Sequence, residues 1–152
     1  MLLENFEIPD LKAEITAIGD PFFHGNTSLY IEEIINNKSN HKVFIAERGG
    51  NVAGFLILSS VMDEAEIIEV AVAENFRRNG IASGLMSEIF DWCLKNGITQ
   101  IFLEVRESNF PARECYRKFG FSENGCRKNY YRNPVENALL MSKKIVLPTF
   151  SI

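Results

Sequence analysis

Arg77-Arg78-Asn79-Gly80-Ile81-Ala82 sets two guanidinium groups and a glycine where a strand-favouring run, Val70-Ala71-Val72, gives way to helical periodicity. Amide N–H groups at a helix start have no intrahelical acceptor, and the helix dipole adds positive potential there. Such a loop can hold an anion, and two consecutive amides with nearby cations suit a diphosphate. The same residues are also compatible with an ordinary strand-to-helix turn whose arginines are solvated.

Two further side chains have the chemistry for proton transfer. Glu104 interrupts the apolar run Ile101-Phe102-Leu103, and Tyr116 shares a helix stripe with Ala112, Cys115 and Phe119. Each has a structural alternative: a carboxylate on a solvated sheet face, and a core aromatic with a satisfied hydroxyl. Asn109 stands where a helix cap is expected. Tyr130 and Tyr131 end a strand-like run, where aromatics pack well. Cys115 beside Tyr116 invites a covalent mechanism, but neither histidine is near it in sequence and the helical pattern turns the thiol inward, so it reads as structural.

Cys93, Cys115 and Cys126 are odd in number and lack CxxC spacing, while His24 and His41 lie far from them. Neither a disulfide framework nor a structural zinc site is expected, and no metal is implied.

Positioning these residues requires an alternating set of elements. Leu2 to Ile8 reads as an opening strand. Pro9-Asp10 introduces a helix with Leu11, Ile15 and Ile18 inward, stopping at Gly19. Thr27 or Ser28 caps a second helix running to about Asn36, and Asn36 to Asn40 form an exposed turn. Val43 to Glu47 and Val52 to Ser60 flank Arg48-Gly49-Gly50-Asn51 as a hairpin, with a third strand over Ala65 to Val72. Gly80 to Asn96 is amphipathic through Ile81, Leu85, Ile89 and Trp92, and Gly97 ends it. Thr99 to Val105 is a strand. Asn109 to Phe119 is a helix with Pro111 in its first turn and Gly120 beyond its end, and Phe121 to Tyr131 and Ala138 to Val146 are the last strands. The fold class is α/β: a mixed, mostly antiparallel sheet flanked by helices. Helical crossovers before and after Thr99 to Val105 imply that the sheet is parallel there, so that it holds a parallel pair.

The chain has 152 residues and is 46% apolar, which suits one domain over residues 1–152. Its longest apolar stretches, such as Val52 to Val61, are too short to cross a bilayer, and Met1-Leu2-Leu3-Glu4 lacks the basic and apolar segments of a secretory signal. A cytoplasmic protein with no membrane partner is expected. A net charge of −4 argues against direct nucleic-acid binding.

The strand-loop-helix around Arg77, Gly80 and Ala82 resembles the Q/R-x-x-G-x-G/A motif with which the GNAT acetyltransferases bind acetyl-CoA. The likeness extends through Asp63-Glu64-Ala65, Val70-Ala71-Val72, Leu103-Glu104-Val105-Arg106, Ser108-Asn109, Tyr116, Phe119-Gly120-Phe121 and Arg127-Lys128-Asn129-Tyr130-Tyr131. Together these look like the RimI branch, whose members acetylate the N-terminal alanine of a ribosomal protein. The similarity is close over Asp63 to Met141 and loose before it.

That resemblance implies acetyl-CoA as co-substrate, held at its pyrophosphate by Arg77, Arg78, Asn79, Gly80, Ile81, Ala82 and Ser83. The backbone of Val70, Ala71 and Val72 would pair with the pantetheine arm and supply the oxyanion donor, and Asn109 would also touch the coenzyme. It further implies Glu104 as general base, directly or through a water, Tyr116 as the acid that protonates the departing thiolate, and Tyr130 and Tyr131 as walls of a peptide groove. With no activated nucleophile, the amine would attack the thioester directly in a ternary complex.

An α-amine, with pKa ~7.7–8.0, costs about 1 kcal/mol to deprotonate at pH 7, against about 4.6 kcal/mol for a lysine at ~10.4. One carboxylate base suits the former. Many RimI sequences carry Pro-Trp-Ser before the second helix, whereas this chain has Asp20-Pro21-Phe22-Phe23-His24-Gly25-Asn26. Two alternatives therefore stay open: an enzyme of the same superfamily acting on a small amine or a lysine, and a non-catalytic CoA-binding module. The presence of both Glu104 and Tyr116 argues against the second.

Overall fold

A computed structural model describes residues 1–3, 7–19, 27–36 and 40–146. Its elements are helices α1 (Ile8–Ile18) and α2 (Thr27–Ile35); strands β1 (His41–Arg48), β2 (Asn51–Val61) and β3 (Glu64–Val72); a 3-10 turn (Glu74–Phe76); α3 (Ile81–Lys95); β4 (Gln100–Arg106); α4 (Phe110–Lys118); β5 (Ser122–Tyr131); and β6 (Glu136–Lys144). The strands form a six-stranded sheet in the order β1-β2-β3-β4-β6-β5. Among the described residues, only β3 and β4 pair in parallel; the other neighbours are antiparallel.

Each sheet face carries its own apolar layer. Ile81, Leu85, Met86, Ile89 and Cys93 of α3 and Tyr116 of α4 pack with Leu56, Leu58, Leu103 and Val105 on one face. Ile8 and Ile15 of α1 and Ile31 and Ile34 of α2 pack with Val43, Ile45, Phe55 and Ile57 on the other. A fully buried aliphatic side chain contributes ~1.5–3 kcal/mol, so the sheet is anchored from both sides. Of the stripe predicted for α3, Ile81, Leu85 and Ile89 are buried, while Trp92 is only partly buried and Cys93 takes the fourth inward position.

Two local expectations change. Among the described residues, the opening strand shows as one bridge between Leu2 and Phe44, with Leu3 N–H donating to the Val43 carbonyl. Ile8 instead begins α1, because Pro9 lacks a donor and is pre-set for a first helical turn, where it sits; residues 4–6 lie outside the described residues. Thr27 opens α2, but its hydroxyl donates to both Glu69 oxygens, at 2.9 and 2.8 Å. The turn at 37–39 and the Asp20 to Asn26 segment also lie outside the described residues.

The sheet has the expected parallel pair, and only the second crossover departs from expectation. The crossover through α3 does bring β3 and β4 side by side in parallel, but the chain leaving β4 through α4 does not return to its side. β6 lies there, antiparallel, and β5 is outermost. Composition explains the choice. β6 presents Ala138, Leu139 and Met141 for burial, whereas β5, Ser-Glu-Asn-Gly-Cys-Arg-Lys-Asn-Tyr-Tyr, is polar and exposed along nearly its whole length. An apolar strand gains most in the interior, and a polar one suits an edge.

The β3–β4 pair is also incomplete. Its ladder runs from Glu64↔Gln100 to Ile67↔Leu103 and stops, although both strands continue. On the other side of β3 the register with β2 jumps from Leu58↔Ile67 to Ile57↔Glu69, leaving Ile68 as an extra residue. Such a bulge bends its strand and increases the local twist. Beyond it, β3 swings away from β4.

Candidate active site

Where β3 and β4 separate, a cleft of about 240 Å³ opens through the sheet. Its walls come from Glu66 to Val70 of β3, Leu103 to Arg106 of β4, Asn109, Ala112 and Tyr116 at α4, Tyr130 and Tyr131 at the end of β5, and Tyr30 of α2. Of the residues singled out from sequence, Glu104, Tyr116, Asn109, Val70, Tyr130 and Tyr131 thus meet at one place. Val70, Ala71 and Val72 keep their ladder with Leu56, Phe55 and Gly54 of β2. Among the described residues their opposite edge has no strand ladder, so it presents backbone groups to whatever enters the cleft.

Strand alternation divides the chemistry between the two faces. Leu103 and Val105 are buried under α3 and α4, so Glu104 points to the face of α1 and α2. Tyr116 reaches the cleft from the opposite face; it is buried and packs edge-on against Phe121 at 5.8 Å. A carboxylate and a phenol therefore bracket the gap from its two sides.

Glu104 lies in a charged neighbourhood. Arg127 Nε is 2.9 Å from its Oε1, and the Tyr130 hydroxyl bonds to it. The Glu104 charge, first, and then burial and that hydrogen bond push the Tyr130 phenol above its ordinary value. Glu66, on the same face, has its carboxyl pushed up by desolvation and by the Glu104 charge, with Arg127 opposing. Glu69 is buried and held by Thr27. The Tyr130 and Tyr131 rings meet edge to face at 5.2 Å, and the Arg106 guanidinium lies 4.3 Å from the Tyr131 ring centre.

The Arg77 to Ser83 loop is not part of the cleft wall; Val70 to Val72 lead from the cleft to it. Gly80 is the N-cap of α3 with φ 72°, and Arg78 shares that left-handed region with φ 64°. Asn79 Nδ2 donates to the carbonyls of Phe76 and Arg77, at 3.2 and 3.1 Å, and so pins the turn. The amides of Ile81, Ala82 and Ser83 fall in the first turn of α3, before the Gly84 N–H to Gly80 carbonyl bond at 3.0 Å. A Cβ placed on Gly80 or Gly84 would meet nothing within 4 Å, so a phosphate group can approach this backbone closely. The Ile81 side chain is buried in the core, leaving only its backbone for a ligand. Asn109 caps α4 by accepting the Ala112 N–H at 3.3 Å.

The sequence reading missed Tyr30, Glu66, Glu69 and Arg106 as cleft residues, and Arg127 as the ion-pair partner of Glu104. Glu69 carried the same signal as Glu104, a carboxylate breaking an apolar strand. The others became visible only through pairing. Cys93 is buried, with a thiol pushed up by desolvation to about 11, and desolvation also raises the Cys115 thiol, which leaves neither poised as a nucleophile. Among the described residues no group of three or more His, Cys, Asp or Glu could hold a metal, and no helix is long and apolar enough to cross a membrane.

Comparison with known proteins agrees with this geometry. The acetyltransferase (GNAT) family model matches residues 11–121. A putative [ribosomal protein bS18]-alanine N-acetyltransferase of Bacillus subtilis is 34% identical over 80% of this chain and 75% of its own length. The [ribosomal protein bS18]-alanine N-acetyltransferase of Escherichia coli K12 is 33% identical over 72% of this chain and 76% of its own. The crystal structure of the ribosomal-protein-S18-alanine N-acetyltransferase from Escherichia coli superposes with a TM-score of 0.81 at 28% identity, covering 100% of this chain and 96% of that one.

Proposed function

The chain belongs to the GNAT acetyltransferase family, and we propose that its acceptor is a protein N-terminus, most specifically the N-terminal alanine of a ribosomal protein. It is an acetyl-CoA-dependent N-acetyltransferase. Acetyl-CoA supplies the acetyl group as a thioester. The observation that carries the acceptor reading is the placing of Glu104 in the cleft between β3 and β4, beside the Tyr130 and Tyr131 pair and across from Tyr116, in a chain whose relatives bear that activity by name.

In this reading Arg77, Arg78, Asn79 and the amides of Gly80 to Ser83 hold the coenzyme's pyrophosphate. The free edge of Val70 to Val72 aligns its extended arm, and a backbone N–H of that edge stabilises the developing oxyanion. Asn109 adds a contact at the start of α4. Glu104 removes the proton from the attacking amine, and Tyr116 donates a proton to the departing thiolate. Tyr130 and Tyr131 flank the peptide. Residues 1–152 act as one catalytic unit in the cytoplasm, without metal, membrane or nucleic acid.

The test offers acetyl-CoA with an alanine-starting peptide, the same peptide already N-acetylated but carrying a lysine, spermidine and an aminoglycoside, and reads products by mass. Acetylation at the α-amine of the first peptide supports the reading. Turnover of the polyamine or aminoglycoside alone overturns it.

A further inference from the structure

Arg106 ends β4 on the same sheet face as Glu104 and is 7% exposed. Burying a guanidinium is costly unless its donors are satisfied, and here both terminal nitrogens donate to one target. Nη1 donates to the Pro134 carbonyl at 3.2 Å and to Glu136 Oε2 at 3.3 Å, and Nη2 donates to the Arg132 carbonyl at 3.3 Å. All three acceptors belong to the turn joining β5 to β6 or to its first strand residue. The guanidinium also lies against the Tyr131 ring, the residue that enters that turn.

Glu136 carries the connection onward. Its other oxygen accepts the Ser108 N–H, one residue before the Asn109 cap of α4. Nearby, Asn137 Nδ2 donates to Glu107 Oε2 at 3.1 Å, and Asn137 Oδ1 accepts the Asn129 N–H at 2.9 Å. The hairpin that ends in Tyr130 and Tyr131 is thus clamped to the corner between β4 and α4, the strand of Glu104 and the helix of Tyr116.

We infer that Arg106 is a positioning residue for acceptor binding: by holding Tyr131 and the β5–β6 turn against the end of β4, it sets the wall against which the acceptor lies. This rests on the acceptor-wall role proposed for Tyr130 and Tyr131. β5 is an exposed edge strand with no outer neighbour among the described residues, so its end is held from the β4 and β6 side, where Arg106 makes the contacts to the turn itself. Lysine keeps the charge but has no planar fork to span two carbonyls and a carboxylate while stacking on a ring.

The test is a double-mutant cycle of Arg106→Lys and Tyr131→Leu, with KM measured separately for acetyl-CoA and for the acceptor. The acceptor is the alanine-starting peptide or, if that is not turned over, whichever amine of the panel is; failure of the peptide reading therefore leaves this cycle intact. Each single variant is expected to raise acceptor KM roughly tenfold while acetyl-CoA KM stays within about twofold. The double variant should be no worse than the weaker single, because one residue acts through the other. A second readout, thermal melting of all four proteins, separates a general loss of stability. Multiplied effects on acceptor KM in the double variant, or an equal rise in both KM values, would overturn the inference.

Discussion

Arg127 Nε lies 2.9 Å from Glu104 Oε1, although the two residues sit on strands separated by β6. The contact joins an edge-strand side chain that is 57% exposed to a cleft carboxylate that is 21% exposed. Ion pairs this open to solvent are screened and contribute about 1 kcal/mol at most, so an arriving ammonium group can take the place of the guanidinium.

The first prediction follows from that imbalance. Glu104→Gln removes the proposed base and should lower kcat by about 10²-fold or more. Arg127→Met removes only a displaceable partner and should change kcat/KM for the peptide by less than about tenfold. Initial rates at saturating acetyl-CoA decide the matter, and equal losses would place Arg127 in the chemistry as well.

Tyr116→Phe tests the proposed acid while sparing the fold. The ring keeps its edge contact with Phe121 in the layer under α3 and α4, and only the hydroxyl is lost. We expect kcat to fall by about 10²-fold with acetyl-CoA binding, followed by calorimetry, nearly unchanged. A variant with full kcat would rule out the proton-donor role.

Gly80→Ala should act on the donor alone. At φ 72° an added Cβ finds open space but an unfavourable backbone conformation, at a cost of roughly 1–2 kcal/mol. The loop would relax away from its present turn, and acetyl-CoA KM should rise several-fold while acceptor KM at saturating coenzyme holds. A rise in acceptor KM alone would contradict the assignment of this loop.

The Glu136 carboxyl is held below its ordinary value of 4.5, first by hydrogen bonding from Ser108 and also by the Arg106 guanidinium. A carboxyl whose folded pKa is depressed contributes stability that is fully present above the unfolded pKa and lost as pH falls through the folded one. Glu136→Gln should therefore be less stable than the parent protein at neutral pH, and the gap should close progressively below about pH 4.5. Urea denaturation at pH 7, 5, 4 and 3 measures it. A gap that persists at pH 3 would show that the ionised carboxylate is not the source.

Much of the layout was legible because it depends on short-range rules. The period of Ile81, Leu85, Ile89 and Cys93 requires a helix with one buried stripe. Asn109, Pro111 and Gly120 mark the ends of α4 through capping, a missing donor and a left-handed φ. The loop from Arg77 to Ser83 was legible for the same reason, since its features are those of one turn and one helix start. The opening strand was misjudged only at its far end, where Pro9 decided for a helix from Ile8.

Residue types and their spacing alone marked a helix start suited to an anion and left Glu104 and Tyr116 as two candidates among structural alternatives; it was the family resemblance that gave those two their roles. Pairing decided the rest. Neighbours in a sheet are chosen by which strands have apolar surface to bury on both sides, a comparison among segments far apart in the chain, so β6 rather than β5 lies against β4. The extra residue at Ile68 and the end of the β3–β4 ladder at Leu103 open the cleft. That opening lets Tyr30 and Glu69 share one cleft with Glu104, Glu66 and Arg106, because a side chain's neighbours across a sheet depend on register, which no single segment carries.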